Sequence, residues 1–348
     1  ILLAFANSLP LLFLSRIIDG LSGANIATAQ AVVSDVTSEK TRTQGLGLIG
    51  AAFGMGFIMG PTIAFITLAV TGGNYQAVAF AAAFFSLASI LLTFFWLPET
   101  LDREKAAAYR AQRAFSLQNL ISALRRPQIG ILLVLMGEQQ LAFGGYEQFF
   151  SLFTLNRLGM GATDTSGLFV LAGLLIVVIQ GGFVGRWSRK YGDRWLVIMG
   201  LAALSAGLIL TALTPQIPVW WYDRAKITAE VAGESTRNIN VPLPPEENKG
   251  WLGIAWMLLA SVPAVVGGGV LQPAINSLLT KSADPNQTGG TLGLSSAMYS
   301  LGNAIAPLFY GTLFQAFGAP TPFILGGLLL GALWIVATRT VKAPQTTV

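Results

Sequence analysis

Nine stretches of this chain are each long and apolar enough to cross a lipid bilayer, and that repetition limits the fold more than any motif does. They run over roughly 10–35, 44–70, 75–97, 128–155, 164–186, 194–214, 251–280, 286–316 and 321–338. A helix needs about 20 apolar residues to cross the hydrocarbon. Every backbone N–H and C=O there must be satisfied without water, which a helix achieves alone. Composition agrees, with 53% hydrophobic and only 11% charged residues, against roughly 25% charged in a soluble domain. The expected class is an all-α membrane protein. The chain opens Ile1-Leu2-Leu3-Ala4-Phe5, already apolar, without Met and with no visible signal peptide. Those residues read as the tail of an earlier helix turning at Asn7-Ser8-Leu9-Pro10, hence as a cut inside a longer protein.

Cys and His are both absent. That removes disulfides, thiolate or imidazole metal sites and most His-based catalysis. The net charge of +5 would point to nucleic acid in a soluble protein, but here it follows membrane sidedness. With the helices alternating in direction and 98–127 in the cytoplasm, the cytoplasmic segments hold 15 of the 21 basic residues: Lys40, Arg42, Arg103, Lys105, Arg110, Arg113, Arg125, Arg126, Arg186, Arg189, Lys190, Arg194, Lys281, Arg339 and Lys342. This is the positive-inside pattern. Within 98–127, Leu117, Leu120, Ile121 and Leu124 recur at helical spacing after a candidate N-cap, Ser116, which predicts an amphipathic helix at the membrane surface. Segment 215–250 holds five prolines and mixed charges and reads as an extracytoplasmic loop without strong helix signals. Trp220, Trp221, Tyr222 and Trp251 at its ends suit an interfacial aromatic belt.

The chain also repeats itself. Gln44–Pro61 (QGLGLIGAAFGMGFIMGP) and Gly290–Pro307 (GTLGLSSAMYSLGNAIAP) align without gaps, with identities at Leu46/Leu292, Gly47/Gly293, Leu48/Leu294, Ala51/Ala297, Gly56/Gly302 and Pro61/Pro307. Both copies run outward from the cytoplasm, so the repeat is parallel, the relation between the two halves of some transporters. Six spans follow the central linker and only three precede it.

Three motifs carry a resemblance. Leu12-Phe13-Leu14-Ser15-Arg16-Ile17-Ile18-Asp19-Gly20 sets an arginine in or near hydrocarbon, with Asp19 on the same helical face as a pairing partner. Gly56-Phe57-Ile58-Met59-Gly60-Pro61 sets two missing side chains on one face, where another helix can approach, before a kinking proline. Gly185-Arg186-Trp187-Ser188-Arg189-Lys190-Tyr191-Gly192-Asp193-Arg194 is a basic connection suited to touching helix ends. These resemble, in order, the LxxxRxxxG motif, the GxxxGP motif and the second-half copy of the GxxxDRxGRR loop of the major facilitator superfamily, in its drug/proton antiporter, tetracycline-resistance-like branch. Two departures stand out: Ala64 and Phe65 replace usual glycines, and Arg189 stands where an acid is usual. The resemblance implies a major facilitator fold with about nine of its twelve transmembrane helices. It also implies proton coupling through Arg16, packing at Gly56, Gly60, Pro61, Gly302 and Pro307, and a cytoplasmic gate at Gly185, Arg189, Lys190, Gly192, Asp193 and Arg194.

The span over 128–155 carries Glu138-Gln139-Gln140 near the bilayer centre, then Tyr146-Glu147-Gln148 after Gly144-Gly145, a glycine pair able to deform the helix. An ionisable side chain at that depth is a functional-site hypothesis. A desolvated carboxylate holds its proton more tightly and can carry it. Glu138, Gln139, Gln140, Tyr146, Glu147, Arg16 and Asp19 are the expected proton-coupling or substrate residues, with Asn25, Gln30, Gln272, Asn276, Tyr299 and Asn303 as weaker cavity candidates. Gly20-Leu21-Ser22-Gly23 matches a rhomboid-protease motif, but that chemistry needs a histidine.

The domain expectation is 1–97 for the remainder of a first helix bundle, 98–127 for a cytoplasmic linker, 128–338 for a six-helix second bundle and 339–348 for a cytoplasmic tail. The functional expectation is a monomeric, non-enzymatic, proton-driven exporter of a small amphipathic compound in the inner cell membrane. It would use no cofactor and no nucleic acid; its partners are the substrate, protons and lipid. The alternatives are an importer of a sugar or organic anion, and a non-transporting receptor or scaffold.

Overall fold

The computed structural model describes residues 1–6, 8–22, 25–72, 74–100, 117–234, 241–283 and 287–342, and every regular element among them is helical. After a 3-10 turn at Leu2–Phe5 come α1 (Leu9–Ser22), α2 (Asn25–Val36), α3 (Arg42–Thr71) and α4 (Tyr75–Trp96). A short α5 (Leu117–Leu124) leads into α6 (Pro127–Leu158). Next, α7 (Ala162–Val178), a π-helical segment (Ile179–Phe183) and α8 (Val184–Tyr191) run on end to end. The remaining helices are α9 (Asp193–Ala212), α10 (Arg224–Glu234), α11 (Leu252–Ser282), α12 (Thr288–Phe317) and α13 (Thr321–Thr340). Every expected span is helical, and α5 lies where the amphipathic helix was expected. Ser116 and the basic residues 103–113 lie outside the described residues.

Local chemistry sets the boundaries. Asn74 caps α4 by accepting from Gln76 N at 2.9 Å, and Pro127 opens α6 at a position where no N–H is needed. Gly192 makes the whole turn between α8 and α9 at φ +83°, a conformation that favours glycine. The expected basic connection is therefore mostly helix: the turn is a single residue, and Arg186, Arg189 and Lys190 ride on α8. A second correction concerns 215–250, which contains α10. Asp223 accepts from the N–H of Ala225 and Lys226 at 2.9 and 3.1 Å, an N-terminal cap hidden among prolines and charges. Nor does Gly144-Gly145 break its helix, since α6 runs through without interruption. These glycines make room instead, Gly144 for the amides of Gln140 and Asn303 and Gly145 for the ring of Tyr310.

Seven helical stretches among the described residues are long and apolar enough to cross a membrane: Leu9–Val36, Arg42–Thr71, Tyr75–Trp96, Asp164–Tyr191, Asp193–Ala212, Leu252–Ser282 and Thr321–Thr340. α6 and α12 match them in length, at 32 and 30 residues, but carry more polar side chains. The chain is an all-α, multi-pass membrane protein. Its core lies in the second half, where α9 packs on α11 and α13, and α6 packs on α12. Leu196, Leu201, Leu204 and Leu208 recur at helical spacing on the buried face of α9 and meet Leu271, Leu278 and Phe323 there. By contrast α4 buries no residue. The repeat extends to the helix boundaries: α3 and α12 are both 30 residues long, and both pairs of helix ends, Arg42 with Thr288 and Thr71 with Phe317, fall in register in the same ungapped alignment.

Candidate functional site: an uncharged cavity and a closed basic end

At the basic end the two halves meet on one carboxylate. Asp193, the first residue of α9, is 3% exposed. Its Oδ1 accepts from Thr43 Oγ1 at 2.6 Å and Ser188 Oγ at 2.5 Å. Its Oδ2 accepts from Ser277 Oγ at 2.7 Å and pairs with Lys281 Nζ at 2.6 Å. Thr43 comes from α3, in the first half; the other three come from α8 and α11, in the second. The helix N-terminus favours the negative charge further. Arg189 donates across the same seam to Gln44 Oε1, and the backbone at Gly185 lies against the Gln44 side chain. Arg194 donates to the carbonyls of Val341 and Thr338 at 2.7 and 2.9 Å and so ties α9 to α13. Lys190 lies over the Tyr191 ring of its own helix. Arg189 in the usual place of the acid thus leaves no gap, because Asp193, four residues on, receives the donors.

Inward from this closure, Gln30 of α2, Gln272 and Asn276 of α11 and Tyr299 of α12 come together. They line a cavity of about 60 Å³ with Ile26, Ala27, Met136, Ser295, Ser296 and Ser300. It lies roughly 9–18 Å from the basic helix ends at the α-helical rise. Ser295 donates to Asn276 Oδ1 at 2.6 Å. Gln30 is 4% exposed, and its Oε1 has no hydrogen-bond partner. A wider, open cavity of about 560 Å³ between α2 and α3 adjoins it at Ile26 and is lined by Asn25, Ile26, Ala29, Ile49, Ala52, Phe53 and Gly56.

The other expected residues are placed elsewhere. Gln140 and Gln148 of α6 both donate to Asn303 Oδ1 on α12, at 3.2 and 3.1 Å, so Asn303 belongs to a helix-joining amide cluster and not to the cavity lining. Gln139 is buried with its Oε1 unpartnered. Glu138 and Glu147 are half-buried on α6 and line neither cavity. Tyr146 stacks with Phe143 and packs on Phe150 and Phe323, which makes it a core side chain. Arg16 and Asp19 are both exposed on α1. Ion pairs among the described residues include Lys249–Glu246 and Lys281–Asp193. Gly56 and Gly60 have nothing within 4 Å of where a side chain would begin. The close approach of α3 comes earlier, at Gly47, Gly50 and Gly54 against Gly173 to Val184. Gly302 does pack tightly, on the backbone of α6 at Gly137 and Leu141, and Pro307 lies within α12. The side chain of Pro61 lies outside the described residues.

Two features went unrecognised in the sequence. One is the set of donors around Asp193. The other is Gln180, in the π-helical segment, which is 6% exposed and donates to Gly269 O at 2.8 Å. Its amide fills the space left by Gly50, so one side chain wedges between α3 and α11. A glutamine before two glycines in an apolar run was the available signal, since π segments widen a helix where function or packing requires it.

Comparisons with known proteins agree with this architecture. Residues 1–229 match the family described as Major Facilitator Superfamily. The tetracycline resistance protein, class H, of Pasteurella multocida is 24% identical over 340 residues, covering 97% of this chain and 75% of the relative. Multidrug resistance protein 2 of Bacillus subtilis (strain 168) is 25% identical and covers 95% and 72%. Among solved structures, the human organic anion transporter MFSD10 superposes with a TM-score of 0.69 at 22% identity, over 97% of this chain and 73% of that one.

Proposed function

The chain belongs to the Major Facilitator Superfamily, and from that premise we propose that it is a secondary transporter exporting a small amphipathic compound in exchange for protons. The observation that carries this reading is a pair of adjoining cavities: an apolar space of about 560 Å³ between α2 and α3, and a polar one of about 60 Å³ lined by α2 of the first half and by α6, α11 and α12 of the second. An amphipathic guest has one end for each. The names of the tetracycline- and multidrug-resistance relatives support the choice of cargo. Positive-inside logic sets the basic end toward the cytoplasm in the cell membrane. The Asp193 closure then seals the cavity from that side, which is one arm of an alternating-access cycle. In this reading the protein works as a monomer without a cofactor and makes or breaks no bond in its cargo.

Glu138 and Glu147 carry the proton in this proposal. Both are half-buried on a spanning helix, where an ionised carboxylate is expensive and protonation relieves the cost. The test is tetracycline flux in proteoliposomes under an imposed pH gradient. Export predicts that tetracycline moves against inward proton flow, and that Glu138→Gln abolishes this movement while membrane insertion persists. Tetracycline moving with the protons sinks the export reading, and unchanged flux in Glu138→Gln removes the role of Glu138.

A further inference from the structure

We infer that Gln30 is the specificity-determining contact of the small cavity, and that it selects an uncharged group bearing an N–H or O–H, the amide or hydroxyl end of a neutral cargo. The inference rests on the cavity being the substrate seat. Its first support is an unmet acceptor. Gln30 is 4% exposed, lines the cavity, and holds an Oε1 without a hydrogen-bond partner. A buried carbonyl left unpaired is unfavourable, and a guest that donates to it removes that penalty. The neighbouring acceptor, Asn276 Oδ1, is already taken by Ser295, whereas the Gln30 oxygen is both buried and unpaired.

The second support is the charge of the wall. Among its described residues the only ionisable side chain is the phenol of Tyr299. Two cations at the basic end of the same helix group are engaged elsewhere: Arg42 donates to the carbonyls of Ser34 and Thr37, and Lys281 is held by Asp193. An ionic guest would be desolvated here without a counter-charge, which is costly. What the wall offers instead is hydroxyls and amides, the groups that recognise a neutral polar end.

The test uses the full chain in phosphatidylcholine nanodiscs and four matched probes: benzamide, N,N-dimethylbenzamide, benzoate and benzylammonium. Benzamide is expected to bind about tenfold more tightly than each of the others, the scale of one buried hydrogen bond. Gln30→Leu is expected to bring benzamide down to the level of N,N-dimethylbenzamide without lowering the melting temperature of the free protein. Benzoate or benzylammonium binding as tightly as benzamide overturns the inference. So does a benzamide affinity unmoved by Gln30→Leu, or no binding of benzamide at all. The two readings fail separately. If benzylammonium is carried across the membrane and benzamide is not, transport stands and the neutral class falls. If benzamide binds through Gln30 but nothing crosses, the binding chemistry stands and transport falls.

Discussion

Gly56 and Gly302 occupy equivalent positions of the repeat, yet adding a methyl group to each should have opposite consequences. A Cβ on Gly302 would overlap the carbonyl oxygen of Gly137 and stand 2.9 Å from Leu141 N, where ordinary contact begins near 3.4 Å. Both obstacles are backbone, so no side chain can rotate away; α12 must move off α6 by at least half an ångström, and overpacking of this kind costs roughly 1–3 kcal/mol. A Cβ on Gly56 meets nothing within 4 Å. Each substitution also gains helix propensity on leaving glycine, about 1 kcal/mol. That gain is common to both, so the difference between Gly302→Ala and Gly56→Ala isolates the steric part. At roughly 2 °C per kcal/mol for a chain of this size, Gly302→Ala should melt about 2–6 °C below Gly56→Ala, scanned in the same detergent at the same rate. Equal melting temperatures, or a lower one for Gly56→Ala, would refute the packing argument.

Two further outcomes are expected. Because the chain has no cysteine, Gln44→Cys with Arg189→Cys reports closure of the basic end without background. Thr43→Val should lower that cross-link about fivefold, the effect of one hydrogen bond, at an unchanged melting temperature. Lys281→Met, which strands a buried carboxylate at a cost of about 3–5 kcal/mol, should instead lower the melting temperature by roughly 6–10 °C; a drop for Thr43→Val matching that for Lys281→Met would contradict the division of roles. At the wedge, Gly50→Ala should destabilise the protein and Gln180→Ala in the same chain should restore at least half the loss, since the clash is with that amide. Additive losses in thermal unfolding would show that the two residues are not coupled.

The spans were legible because hydropathy is a local property: α3, α4 and α11 end within a few residues of the expected limits. The repeat was legible too, over 44–61 and 290–307, and the structure extends it to paired helix ends. What the sequence conceals is which face meets which neighbour. Gly56 and Gly60 share the spacing of a packing motif, but α3 has already diverged from its partner there, and the contact is made by Gly47, Gly50 and Gly54. The strongest polar candidates, Glu138 and Glu147, line neither cavity, whereas four weaker ones, Gln30, Gln272, Asn276 and Tyr299, line the same one from three helices. Rotation of each helix about its axis decides this, and no single helix encodes it. Asp193 looked like one charge in a basic stretch because its partners lie in distant segments of the chain.

The arrangement of those partners bears on how fast the basic end can open. In the alternating-access cycle proposed above, parting of the halves takes Thr43 away alone. Ser188, Ser277 and Lys281 all travel with Asp193 on the second half, so the ion pair need not separate. Thr43 also bonds Ser277 Oγ across the seam at 2.8 Å, a contact between neutral hydroxyls, and the bond from Arg189 to Gln44 is exposed and is readily exchanged for water. Had the lysine sat on α3, opening would have to separate a buried ion pair, and about 3–5 kcal/mol added to the barrier would slow each opening on the order of a hundred- to several-thousand-fold. With the charges kept on one side, the seam is held by contacts that let go quickly and re-form without searching for a partner.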